Sequence, residues 1–303
     1  MSVGRVLVIC GATATGKTAL AAECAKKLGS AVISADSQLV YKGLDIGTAK
    51  PTDEEKLGVP HYMIDVAEST CEYSVSDYKN AALPIVEKLL NEGKTPVICG
   101  GTGFYINSLL FDFSYGGVAA NSEIREKYEK LAKERGREYV YGVLKEADGE
   151  TAAKLHPNDL KRVIRALEIY EAGGRKKSDI CDDLTPRFDY LAVATDFPRE
   201  ELYARINARV DKMFEAGLVD EVKSLIARGI DGNCRCMQAI GYKEVIAGLK
   251  NGDSQSTMRD IIKQNTRRYA KRQITFFKKL PNIINLPTER ATAETVLNLL
   301  ARE

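Results

Sequence analysis

Two groups of residues in this chain are of the types that handle phosphate and protons. From Val6 to Leu20 the sequence reads VLVICGATATGKTAL, in which Gly11 to Thr18 spell G-x-x-x-x-G-K-[ST]. Glycines at both ends let the backbone curl with its N–H groups inward, and a helix starting near Lys17 adds the positive end of its dipole. Lys17 brings a mobile cation, and Thr18 offers a hydroxyl to Mg²⁺. Gly11, Ala12, Thr13, Ala14, Thr15, Gly16, Lys17 and Thr18 are therefore the candidate phosphate cradle. Such a loop specifies a polyphosphate, most often that of ATP or GTP, and leaves open what is done to it.

The second group follows the run AVISAD, where Asp36 opens SADSQLVYKGLDIGTAKP. A carboxylate beside a bound polyphosphate coordinates magnesium through water or takes a proton from an incoming nucleophile. Asp-Ser-Gln is equally ordinary turn material, so spacing alone leaves both readings standing. Asp65 in YMIDV is a second candidate acid for magnesium. CGGTGFYINSLL carries three glycines around Thr102, either a tight turn into a helix or a backbone that approaches a flat ligand.

The elements that must position these groups are legible as short apolar runs: Arg5–Cys10, Ala31–Asp36, Tyr62–Val66, Thr95–Gly101, Tyr190–Asp196 and Asn282–Leu286. Most are apolar at every position, the mark of strands covered on both faces. Alternation with helical patterns predicts an α/β fold with a parallel sheet, whose ligands bind beyond the carboxyl ends of the strands. Between Asn121 and Arg187 the pattern is helical throughout, with Asn158 as the expected N-cap of a helix through KRVIRALEIY. The expected organisation is a phosphate-loop core, 1–120 and 188–303, interrupted by an all-helical insertion, 121–187.

The 303 residues are 44% apolar and 28% charged, enough for a full core, and no run is long enough for a membrane span. The net charge is +2, so affinity for a polyanion must come from local patches. One patch is Lys161, Arg162 and Arg165; another lies between Arg259 and Lys279, with eight Lys or Arg and one acid. Each is a solvated helix face or a groove for a phosphate backbone. In the pattern of Leu202, Ile206, Val210 and Met213, a buried stripe, Arg205 and Arg209 share an adjacent face. Seven scattered cysteines with no secretory signal read as reduced thiols, and Cys234 and Cys236 as core residues rather than zinc ligands.

Taken in order, GATATGKT, SADSQLVYKGLDIGTAKP, GGTGFYI, HPNDLKRVIRALEIY, MQAIGYKE and YAKRQITFFKKLPNI resemble the tRNA dimethylallyltransferases, or tRNA isopentenyltransferases. That resemblance implies a P-loop core with a helical insertion. The activity it implies is transfer of a dimethylallyl group from dimethylallyl diphosphate to N6 of adenosine 37, beside the tRNA anticodon. In that reading the loop holds the diphosphate of a prenyl donor, and Mg²⁺ at Thr18 assists. Asp36 is then the general base, with Lys17 and Thr18 completing the catalytic set, and Thr13 and Arg209 join them on the diphosphate. Implied tRNA contacts are Asp36, Ser37, Gln38, Leu39, Thr102, Arg125, Lys161, Arg162, Val163, Ile164, Arg165, Gln238, Gly241 and Lys243. Two departures stand out: Ala12 where many members have proline, and Phe276 where many have tryptophan. A cytoplasmic monomer without membrane association is expected. The competing readings are a P-loop small-molecule kinase and a non-catalytic RNA-binding protein.

Overall fold

The computed structural model describes residues 5–113, 116–180 and 184–302; Cys181 lies outside them. Six strands form one parallel sheet: β1 (Arg5–Cys10), β2 (Val32–Ser34), β3 (His61–Tyr62), β4 (Val97–Gly100), β5 (Asp189–Asp196) and β6 (Ile283–Pro287). Their order is β3-β2-β4-β1-β5-β6, every neighbour parallel. All six expected runs contribute a strand. Tyr62–Val66 keeps only its first residue, because Met63 and Asp65 adopt φ of 65° and 56°, a left-handed backbone that ends the ladder. β1 is central, and the chain pairs outward on one side of it before returning to the other. That reversal puts the residues after β1 in the crevice where parallel sheets bind ligands.

The helices are α1 (Lys17–Lys27), α2 (Val75–Asn91), α3 (Gly103–Leu110), α4 (Ser122–Arg135), α5 (Arg137–Ala147), α6 (Gly149–Ala153), α7 (Leu160–Gly173), α8 (Arg199–Glu215), α9 (Leu218–Ala227), α10 (Tyr242–Asn251), α11 (Gln255–Phe277) and α12 (Ala293–Leu300). The chain divides into two compact units, one of Met1–Leu110 with Pro186–Glu303 and one of Phe111–Thr185.

In the first unit Val6 to Cys10 are wholly buried, which explains their lack of alternation. Leu20 and Ala21 of α1 and Val296 of α12 pack against Leu7, Ile9, Val97 and Val193. Leu202 and Ile206 of α8 and Ala270 of α11 close over Ala12. The buried stripe of α8 runs Leu202, Ile206, Val210, Phe214, a strict spacing of four. Met213, expected in that stripe, lies beside it and faces a cavity instead.

The second unit has its own core, in which Tyr128, Val140, Leu144, Val163, Ile164 and Leu167 meet. It starts at Phe111 rather than Asn121, and residues 116–118 pack on α7. The Val118 carbonyl accepts from Arg165 Nη2 at 2.8 Å, and Gly116 lies against Ile169. Asn121 caps α4 through the Ile124 amide at 3.1 Å. Asn158 does not cap α7: Asp159 holds that place, and its carboxylate goes to Arg162 rather than to the helix amides.

Candidate active site

At the end of β1 the backbone turns with φ of 133° at Gly11, 64° at Ala14 and 78° at Gly16. Ala14 is the costly one, since a Cβ disfavours that region. Three contacts hold it there. Thr15 Oγ1 and Lys17 Nζ donate to the Ala12 carbonyl at 2.9 and 3.0 Å, and Arg205 Nε donates to the Ala14 carbonyl at 2.8 Å. The amide of Thr13 donates to Gln273 Oε1 at 2.9 Å, and Gln273 Nε2 donates to the Gly101 carbonyl at 2.9 Å. A buried side chain of α11 thus ties the phosphate loop to the turn after β4.

Asp36 stands just past β2. One carboxylate oxygen accepts the Gln38 amide at 2.9 Å, closing the turn, and the other has no hydrogen-bond partner among the described residues. One oxygen thus serves the turn, and the other is left over beside the cavities. Ser37 donates its amide to Thr102 Oγ1 at 2.9 Å, so Thr102 braces the turn that carries Asp36.

Two cavities meet at these residues. The larger, about 310 Å³, is lined by Thr13, Lys17, Asp36, Ser37, Gln38, Thr48, Arg209, Met213, Gln238, Tyr269, Arg272 and Gln273. The smaller, about 60 Å³, lies against Thr18, Ser34, Leu39, His61 and Cys99. Thr13, Lys17, Asp36, Thr48 and Arg209 line both. A ligand on either side of Asp36 is therefore within reach of the same cations.

Burial pushes the Lys17 ammonium down from its usual range, the nearby Asp36 carboxylate opposes this, and Arg209 adds to it. Arg209 is likewise lowered by burial and supported by Asp36 and Glu55. Two cations crowded together without enough water around them favour an anion between them. Burial and the Asp36 charge push the Tyr269 phenol up, and hydrogen bonding to Thr102 and Gln273 opposes that shift. The Cys99 thiol is pushed up to about 12 by burial, so it is no nucleophile at neutral pH.

Arg209 is placed by the segment from Leu44 to Lys50, donating to the Thr48 carbonyl at 3.2 Å. Glu221 of α9 fixes that segment by accepting the amides of Asp45, Ile46 and Gly47 at 3.0, 2.8 and 3.1 Å. Tyr242 of α10 donates to Glu221 at 2.6 Å, and its ring occupies the space a Cβ on Gly47 would need. Glu221, Gln273 and Arg205 carry no local sequence signal of these roles; only the face shared by Arg205 and Arg209 hinted at one of them.

Several expectations need correction. The glycines after β4 do not open space for a ligand. A Cβ on Gly100 would lie 2.1 Å from the Ala35 carbonyl, on Gly101 2.2 Å from Gln273 and on Gly103 2.0 Å from the Phe276 ring. The protein's own groups fill the room. Asp65 is paired with Lys50 and lines neither cavity. Val163 and Ile164 are core residues of the second unit, out of reach of RNA. Arg125 makes a two-pronged contact with the fully buried Glu168, at 2.8 and 3.1 Å, and Arg165 pairs with the same carboxylate. Burial pushes Glu168 up, but those two guanidinium groups and the Asn121 amide outweigh it and hold the carboxyl down. Lys161 and Arg162 remain exposed. Gly241 is buried, its amide held by Glu244 at 2.8 Å, whereas Lys243 beside it is exposed.

A divalent cation would find here the Thr18 hydroxyl and the open oxygen of Asp36. No group of three or more His, Cys, Asp or Glu suited to a metal occurs among the described residues. That donor set fits Mg²⁺ shared with a substrate's phosphates, not a cage built by the protein alone.

The pattern of the IPP transferases matches residues 39–280. The chain is 46% identical over 281 residues to a tRNA dimethylallyltransferase of Alkaliphilus oremlandii, covering 92% of this chain and 90% of that one. It is 45% identical to the protein of that name from Acetivibrio thermocellus, over 92% and 90% of the two chains. Among solved structures it is similar to the tRNA isopentenylpyrophosphate transferase of Bacillus halodurans, with a TM-score of 0.72, 37% identity and coverage of 97% and 94%. A eukaryotic dimethylallyltransferase acting on tRNA superposes with a TM-score of 0.80 at 29% identity, over 94% of this chain and 74% of that one. A phosphate loop braced from α11, an aspartate between two cavities and this breadth of likeness converge: the chain belongs to the IPP transferase family.

Proposed function

We propose that this enzyme transfers the dimethylallyl group of dimethylallyl diphosphate to N6 of adenosine 37 in tRNA. The observation that carries the reading is the pair of cavities joined at Asp36, Lys17 and Arg209. A displacement needs its donor and acceptor on opposite sides of the reacting carbon, and these residues stand where the two would meet.

The diphosphate lies in the cradle of Gly11 to Thr18, with Lys17 and Arg209 against its oxygens. When Mg²⁺ is bound, the Thr18 hydroxyl would hold it, and the ion would supply further charge neutralisation for the leaving group. The adenine amine is a poor nucleophile because its lone pair is delocalised into the ring. As its nitrogen forms the bond to the allylic carbon, the carbon–oxygen bond breaks and diphosphate departs with the electron pair. The open oxygen of Asp36 takes the amine's proton. Fixed cations that strengthen as charge develops on the leaving oxygen supply the transition-state stabilisation. The target base must leave the stacked loop to enter, at a cost of a few kcal/mol (about 2–4) met by contacts around it.

No helix among the described residues is long and apolar enough to cross a membrane. We further assign the activity to a monomer acting on tRNA in the cytoplasm. The test is labelled dimethylallyl diphosphate with tRNA carrying the unmodified adenine. Label on the RNA supports the reading. Label only from ATP onto a small acceptor would make the chain a kinase, and tRNA binding without transfer would make it a binding protein.

A further inference from the structure

Phe104 opens α3 two residues after Thr102 and is 57% exposed, the most open large apolar side chain among the described residues. Its ring is not loose. It leans on Phe276 of α11 with centroids 5.4 Å apart and planes at 59°, and Phe276 is itself seated over Gly103, whose missing Cβ makes the contact possible. Phe104 is thereby propped from one side by a tilted ring contact while most of it faces outward.

Its neighbourhood is that of a polyanion site. Phe276 lies one helical turn beyond Arg272, which lines the larger cavity and packs over the Tyr269 ring. Arg268, Lys271, Lys278 and Lys279 on or next to the same helix are exposed, with no ion pair among the described residues. Arg259, Lys263 and Arg267 are different: the first two pair with Asp211, and the third donates to Asn207 at 2.7 Å. The free positive charge of α11 thus lies in its C-terminal half and just beyond it, the part of the helix that carries Phe276.

We propose that Phe104, backed by Phe276, is a stacking platform for an unpaired base of the anticodon loop next to the adenine that enters the cavity. The proposal rests on the tRNA reading above. A loop that turns one base inward leaves its neighbour without a stacking partner at the cavity rim, and the propped ring replaces that partner. Stacking of a base on an aromatic side chain tolerates any base, because each has a π face.

The test uses the whole enzyme and an anticodon stem-loop with 2-aminopurine next to the target adenine. Transfer of label by the unaltered enzyme is measured first; its absence is the failure of the functional reading, not of this one. Given transfer, Phe104→Ala should raise the Michaelis constant for the RNA roughly tenfold, within the range expected for one stacked base. Affinity for the prenyl donor should stay put. Phe104→Trp should keep the unaltered constant, and Phe104→Leu should behave like alanine. The 2-aminopurine fluorescence should be quenched on binding the enzyme and its tryptophan variant, and not the leucine variant. A leucine variant with unaltered constant and quenching would reduce Phe104 to apolar packing and overturn the proposal. So would an alanine variant that binds as the parent does; should that variant not fold, the leucine and tryptophan pair decides.

Discussion

The side-chain carbonyl of Gln273 accepts the amide hydrogen of Thr13 at 2.9 Å, across a separation of 260 residues. Its other end donates to Gly101 at 2.9 Å, so one buried amide sets the spacing between the phosphate loop and the turn that carries Thr102. Gln273→Leu leaves both partners unsatisfied, a loss of about 1–3 kcal/mol for each buried group. The donor's Michaelis constant should rise at least tenfold and the RNA's much less. An equal rise in both would show that Gln273 supports the fold at large and does not position the loop.

Asp36→Asn keeps the turn, because the amide oxygen still accepts from Gln38, while removing the proposed proton acceptor. Turnover should fall by about two to four orders of magnitude with donor binding nearly unchanged. Unaltered single-turnover rates would assign Asp36 to the turn alone.

Lys17 and Thr18 are expected to act on the leaving group. Lys17→Ala should depress turnover more than donor affinity, and Thr18→Ala should shift the magnesium dependence to higher concentration. Full activity in EDTA would remove Mg²⁺ from the mechanism.

The salt dependence of RNA binding separates free cations from structural ones. Arg268→Ala with Lys271→Ala should flatten the slope of log affinity against log salt by about one unit per lost phosphate contact, slightly less on single strands. Arg267→Ala should instead lower stability, since its guanidinium is held by Asn207 and lies 5.8 Å from the Tyr203 ring centre. An Arg267 variant with native stability and a flattened slope would exchange these roles.

The helical unit carries a pH signature. Burial pushes the Asp148 carboxyl up, but hydrogen bonds from Thr151 and Ser178 outweigh it and bring the group down to about 2. The ordinary value is about 3.9, so the fold favours the ionised form. That contribution is complete above roughly pH 4 and drains away as the pH falls toward 2. Asp148→Ala should destabilise the unit by about 2 kcal/mol at pH 7, the worth of a strong cap, and the difference should shrink below pH 4. Hydrogen-exchange protection in α6 and α7, measured against pH, checks both the size and the sign.

The sheet was legible because its inner strands β1, β2 and β4, and most of β5, are buried at successive positions and so are written as apolar runs. The phosphate loop was legible because its chemistry is local: two glycines, a lysine and a hydroxyl within eight residues do the whole task. Asp36 was placed by topology, as a residue at a strand's carboxyl end. What escaped notice acts at a distance. Gln273 and Glu221 have partners 172 to 260 residues away, and nothing near either one marks it. Glu168 was hidden by its own helix, where an acid one turn from Arg165 looks like surface charge. Val163 and Ile164 show the reverse error: a contiguous motif drew them into the RNA contacts, although both belong to the core of the helical unit.

The bond between Thr13 and Gln273 also has a meaning in time. In synthesis the phosphate loop is made 260 residues before its brace. Domains acquire structure as their parts appear during synthesis. A growing chain therefore carries an unbraced loop until α11 has been made and docked over it. The braced form of the phosphate loop is acquired only once Gln273 has been made and has docked on both of its partners.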